Sequence, residues 1–221
     1  MSTSTPGSVL LSAEEGNVDS NNKTSIDSAG SLEVGAAGRV DLSGAKVEYS
    51  EVGVLRLVAG STDSDALKVF AHENNTFKGA EVVLDSAGGL IFADEAPITV
   101  EASSGKAVLK GQKIDLKSGS SVKAAGEATV RGYDSLVLGD NISVGGSSVS
   151  ITGGQQAFSL GNNVSLAATN GGIEVLADAD ATLGGSLNVN ASLKDPSAGD
   201  EAPIRIGAQG VLNVTEDEFE A

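Results

Sequence analysis

The chain has 221 residues, of which 40% are hydrophobic and 3% aromatic, with 29 glycines, four prolines, and no cysteine or tryptophan. The absence of cysteine excludes a disulfide framework and a zinc-thiolate site. A formal net charge of −16 argues against nucleic-acid backbones and anionic membrane surfaces as partners, since both are held by clustered Lys and Arg.

Residues 1 to 8, Ser/Thr with Pro6 and Gly7, have nothing to bury and form a flexible lead-in. MSTSTPGS has neither the charged start nor the apolar stretch of a signal peptide, and no apolar run reaches transmembrane length. Work outside a cell would therefore need another export route or a longer parent chain. Val9 to Leu11 is a first apolar patch, and residues 12 to 31 are polar and turn-rich around Ile26. From Leu32 an apolar-x-apolar triplet recurs: Leu32/Val34, Val40/Leu42, Val47/Tyr49 and Leu55/Leu57. Each triplet is period-2 patterning for one face of a short strand, and the gaps hold residues that turn sharply.

Two longer gaps, 60–66 and 72–81, flank Leu67/Val69. Insertions in repeat proteins go to surface loops, where recognition tends to sit. Asp63, Asp65, His72, Asn74, Asn75 and Phe77 are accordingly candidate interaction residues. From Val82 the rhythm resumes with Val82/Leu84, Leu90/Phe92, Ile98/Val100, Val108, Ile114/Leu116, Val122/Ala124 and Ala128/Val130. The densest stretch, Leu136 to Leu166, reads LVLGDNISVGGSSVSITGGQQAFSLGNNVSL, and the pattern runs on through Ile173/Val175, Ala181/Leu183 and Leu187/Val189. It breaks at 192–203, where Lys194 and Asp195 are further candidate interaction residues, and resumes at Ile204/Ile206 and Leu212/Val214. Residues 216–221 form an acidic tail.

Triplets this short cannot make ordinary hairpins, and no window carries a helical apolar stripe with cap and stop. The reading is an all-β solenoid over residues 9–215, its short strands returning every seven or eight residues. Two chain paths fit that step. In a single-chain coil three steps close a rung of about 22 residues, giving about eight rungs over roughly 40 Å at the strand spacing of about 4.8 Å. In an intertwined homotrimer each chain supplies one side of every rung, and the same steps rise ~115 Å. The trimer is preferred, because a narrow shared axis suits a core poor in rings and burial between chains leaves no long exposed ladder.

Chemical motifs are sparse, and no residue reads as catalytic, cofactor-binding or metal-ligating. His72 is the single histidine and lies in a polar loop. The pairs Asp63/Asp65 and Asp178/Asp180 lack the patterns of calcium-binding β-rolls or EF-hands and read as solvated turn charges. Asp94/Glu95 or Asp178/Asp180 could serve glycoside cleavage, but grooves for sugar need aromatic platforms, and the chain offers only Tyr49 and Tyr133 with no Trp. Six Asn-x-Ser/Thr sites, at Asn22, Asn74, Asn141, Asn163, Asn190 and Asn213, read as turn chemistry.

The runs AVLKGQKIDLKSGSSVKAAGEATVRG (107–132) and SLVLGDNISVGGSSVSITGG (135–154) resemble the β-helical needle and spike modules of contractile phage tails and type VI secretion tip proteins. The same composition is similar to adhesin passengers, β-helical filament proteins and sarcoglycan-like ectodomains. The resemblance implies a shaft or fibre segment outside the cell, at its surface or in a virion. Needle modules often end in a His-x-His iron-binding tip, and this C-terminal region has no histidine. The expected function is a rigid, non-enzymatic rod without cofactor, partnered by copies of itself and other structural components. An adhesin that binds a receptor or glycan through its loops, and a polysaccharide-degrading β-helix, are the alternatives.

Overall fold

The computed structural model describes residues 7–21, 23–70, 75–92, 96–192 and 203–214. The chain coils into a three-sided stack of parallel strands with about eight turns. The first turn is β1 (Val9–Ala13), β2 (Val18–Asp19) and β3 (Ser25–Ser28), and the second is β4 (Leu32–Ala36), β5 (Val40–Asp41) and β6 (Lys46–Tyr49). The third turn comprises β7 (Val54–Ala59), β8 (Leu67–Val69) and β9 (Thr76–Gly79), and the fourth β10 (Glu81–Ser86), β11 (Leu90–Phe92) and β12 (Thr99–Ala102). Turns five and six each run one long strand around the first corner: β13 (Ala107–Leu116) with β14 (Ser121–Ala124), then β15 (Ala128–Leu138) with β16 (Ser143–Gly146). Turn seven is β17 (Val149–Gly153), β18 (Ala157–Leu160) and β19 (Val164–Ala168), and turn eight is β20 (Ile173–Ala177), β21 (Ala181–Leu183) and β22 (Leu187–Ala191). β23 (Ile204–Ala208) and β24 (Leu212–Val214) begin another turn.

Of the two paths that the step allows, the chain takes the coil. Leu32 pairs with Leu55, Leu55 with Val82 and Val82 with Ala107, so all three sides of a turn come from one chain. Face one is unbroken: β1, β4, β7, β10, β13, β15, β17, β20 and β23 pair in that order. The other two faces each break once. On face three, β3–β6 and β9–β22 are separate sheets. On face two, β2, β5, β8 and β11 form one sheet, while the far ends of β13 and β15 continue through β18, β21 and β24 in another.

The triplets are the core. Leu32, Val34, Leu55, Leu57, Val82, Leu84, Val130, Ile151 and Val175 all point inward and are at most 1% exposed. Fully burying such a side chain stabilises the fold by roughly 1.5 to 3 kcal/mol. One triplet is out of phase. Ala107 and Leu109 face the core, and Val108 lies on the outer row between Val83 and Thr129. The run Ala-Val-Leu offers two alternations that the pattern cannot separate; pairing with β10 chooses one.

The second corner of the regular turns carries a polar ladder. The Asp140 N–H donates to Ser118 Oγ (3.0 Å), the Asn162 N–H to Asp140 Oδ1 (2.7 Å) and the Gly185 N–H to Asn162 Oδ1 (2.8 Å). Asn141 and Asn163 beside them hold left-handed backbone, φ 56° and 55°, and the Asn163 amide donates to Asn141 Oδ1 at 3.2 Å. Asn tolerates that conformation better than other non-Gly residues. These two Asn-x-Ser sites thus do the turn work expected of them, whereas Asn190 and Asn213 lie within β22 and β24 and pair along those strands. At the first corner Gly153 has φ 119°, and a Cβ there would overlap the Gly132 carbonyl.

Candidate functional site

The irregular turns hold the features that distinguish this coil. The break on face three is filled with rings. Tyr49 packs edge-on against Phe70 (6.1 Å between centroids), Phe70 against Phe77 (5.7 Å), and Phe77 lies tilted on Phe92 (5.7 Å). The Lys78 N–H donates to Tyr49 Oη at 3.1 Å across the gap where strand pairing is missing. Burial pushes the Tyr49 phenol up to about 12.

Phe77 therefore does not belong to an interaction loop. It sits in β9 at 1% exposure, its neighbours Thr76 and Lys78 pairing with Thr99 and Glu101. The 72–81 gap is not a loop throughout, because Thr76–Gly79 forms β9 and pairs along its whole length with β12. Alternation along Thr-Phe-Lys-Gly was legible, but the surrounding polar residues masked it. Asn75 is half-buried with left-handed backbone at the entry to β9. His72, Asn74, Lys194 and Asp195 lie outside the described residues.

The 60–66 loop is tied down. Asp63 accepts through its carbonyl from the Ala66 N–H (3.2 Å) and the Gly89 N–H (2.8 Å), and through Oδ2 from Ser61 Oγ (2.9 Å). A Cβ on Gly89 would overlap the Ser64 carbonyl, so loop and fourth turn can meet only over glycine. Asp65 pairs with Lys68 (3.0 Å) and Arg39 (3.8 Å); Arg39 also reaches Asp19 (3.2 Å) and Lys68 reaches Asp41 (3.6 Å). The Lys68 hydrogen bond and charge hold the Asp65 carboxyl below its ordinary range. Burial pushes Asp41 up, but hydrogen bonds from Ser43 and the Lys68 charge outweigh it and leave that carboxyl lowered. These are structural ion pairs at a solvated surface, where salt and water screen them. Of the other carboxylates singled out in sequence, Asp180 accepts the Val211 N–H at 2.8 Å, and Asp94 and Glu95 lie outside the described residues. Among the described residues no three His, Cys, Asp or Glu side chains group to hold a metal, and no helix is long and apolar enough to cross a membrane.

Among the described residues nothing fills the break on face two. No strand pairing joins β11 to Lys113–Leu116, although the Gln112 N–H still donates to the Gly88 carbonyl (2.6 Å) at the corner just before it. A cleft of about 310 Å³ opens there. Its apolar wall is Leu90, Ile91, Phe92, Ile98 and Leu116, with Ile91 41% exposed. Ser64 and Gly89 stand at one end, Ala96 and Lys117 also line it, and Lys113 and Asp115 project from the β13 side. Lys117 Nζ holds Asp115 Oδ2 at 2.6 Å.

Sequence reasoning passed over these residues. The available signals were the run from Ala107 to Leu116, in which no turn separates two triplets, and Ile91, an apolar residue at an outward position.

The fold defines the class, a single-chain parallel β-solenoid. No family model, curated protein or solved structure matches the chain.

Proposed function

We infer that the protein is a non-catalytic structural rod, a stiff segment of a spike, fibre or surface appendage that supplies length and an interaction surface outside the cell or on a virion. The observation that carries this reading is face one, nine strands paired in parallel register along the whole described coil. Such a spine resists bending because every turn is hydrogen-bonded to the next. The needle and spike resemblance points the same way. Homo-oligomers, trimers included, belong to this reading as side-by-side association of finished coils, together with contacts to other structural components. A ligand-binding or adhesin role is the second reading, favoured by the open cleft on face two.

The test combines three measurements on the intact chain: small-angle scattering, a glycan array, and reducing-sugar release from acidic polysaccharides. A rod gives a protease-resistant particle, either a 21.9 kDa coil about 40 Å long or a multiple of it, with a blank array and no sugar release. Array binding that is lost when 192–203 is shortened moves the assignment to adhesin. Released reducing sugar overturns the non-catalytic reading.

A further inference from the structure

The cleft on face two is asymmetric in its chemistry. The Gly89 end combines the exposed Ser64 with Lys113, since Gly89 packs on Ser64 and Gln112, the residue before Lys113, bonds Gly88. Lys113 has no carboxylate within ion-pair distance among the described residues, whereas Lys117 at the other end is paired with Asp115. Between the ends the exposed Ile91 and the half-buried Phe92 form an apolar wall over the buried Ile98 and Leu116. From Lys113 to Lys117 the strand advances about 13 Å, so the cleft of about 310 Å³ is long enough for an elongated small molecule. A cation without a carboxylate partner among the described residues, at the end of an apolar slot, fits a small molecule with one anionic head and a linear apolar tail.

We propose that this cleft binds a medium-chain aliphatic carboxylate, its head on Lys113 with the Ser64 hydroxyl beside it and its tail along Ile91 and Phe92 toward Ile98. The site goes beyond the rod reading and does not depend on it. The chain's overall −16 does not forbid an anion here, because at about 0.15 M salt the Debye length is ~8 Å and the local lysines dominate. The carboxylate gains a charge-assisted hydrogen bond, and its tail covers an isoleucine that is otherwise exposed.

The test is calorimetric titration of the full-length protein with decanoate, 1-decanol and acetate at 0.15 M salt. Decanoate is expected to bind one per chain, with decanol at least tenfold weaker and acetate not at all. Lys113→Ala and Ile91→Asp, both at outward positions, are each expected to weaken decanoate at least tenfold, while Lys123→Ala on face three leaves it unchanged. Circular dichroism melts identify any variant whose fold is lost, and Ile91→Trp, which fills the slot without adding charge, then stands in for Ile91→Asp. The proposal is overturned if folded wild-type protein gives no decanoate heat, if decanol binds equally well, or if folded Lys113→Ala and Ile91 variants bind like wild type.

Discussion

In turns five to seven the chain returns to face one after 21, 21 and 24 residues, as the pairs Ala107–Ala128, Ala128–Val149 and Val149–Ile173 show. Turns three and four take 27 and 25, from Leu55 to Val82 and from Val82 to Ala107. Among themselves the short turns keep every face paired and close their second corner with Ser118, Asp140 and Asn162, each side chain accepting an N–H from the next turn. Turns three and four carry more backbone than the short turns, and each break lies at one of their borders. One break is packed with Tyr49, Phe70 and Phe77; the other stays open. Turn eight is longer still, 31 residues from Ile173 to Ile204, yet its strands pair onward on faces one and two, so a break reflects where the extra backbone lies and what packs beside it rather than turn length alone.

The comparison can be tested by substitution. The largest effect is expected in the regular half: Ile151→Asp buries an unpaired charge at a fully enclosed position and abolishes cooperative folding, while Ser150→Asp on the outer row moves the melting temperature by no more than a few degrees. Similar losses in the two variants would contradict the inward–outward phase. In the irregular half, Phe77→Ala removes a ring at 1% exposure and should cost about 3 to 5 kcal/mol. Because that ring bridges the face-three break, hydrogen exchange should accelerate in turns two to four and leave turns six to eight protected. Uniform acceleration would mean that the two halves do not open separately.

A smaller effect concerns alkaline pH. The Tyr49 phenol is raised to about 12 by burial, so in the unfolded chain it ionises first. Its contribution is fully present below pH ~10 and is lost as pH rises toward ~12, worth on the order of 2 kcal/mol. Urea titrations across that window should show a fall in stability that Tyr49→Phe reduces. An identical slope in Tyr49→Phe would place the titrating group elsewhere. Smallest of all, Asn162→Ala leaves the Gly185 N–H without its acceptor and should cost about 1 kcal/mol, whereas Asn163→Gly, which keeps the left-handed backbone, should change stability by a few tenths. Equal costs would show that the side-chain ladder contributes less than the backbone conformation.

Much of the fold was legible because period-2 alternation is a local property. Leu136/Leu138, Ile142/Val144 and Val149/Ile151 announce their own inward faces, and the gaps between them can only turn. The all-β solenoid, its strand spacing, the resumption at Ile204/Ile206 and Leu212/Val214, and the turn role of Asn141 and Asn163 follow from such local signals. Whatever depends on which turn lies above which was not legible. A step of seven or eight residues is the same in a coil and in an intertwined trimer, and only long-range pairing distinguishes them. The phase of Val108 is set by β10 and not by its own neighbours. The place of Phe77 depends on Tyr49 and Phe70 meeting it across a gap, and the cleft exists because β11 and the end of β13 lie on adjacent turns yet do not pair. Alternation records which way a side chain points, whereas stacking decides what it meets, and both breaks in this coil are matters of stacking.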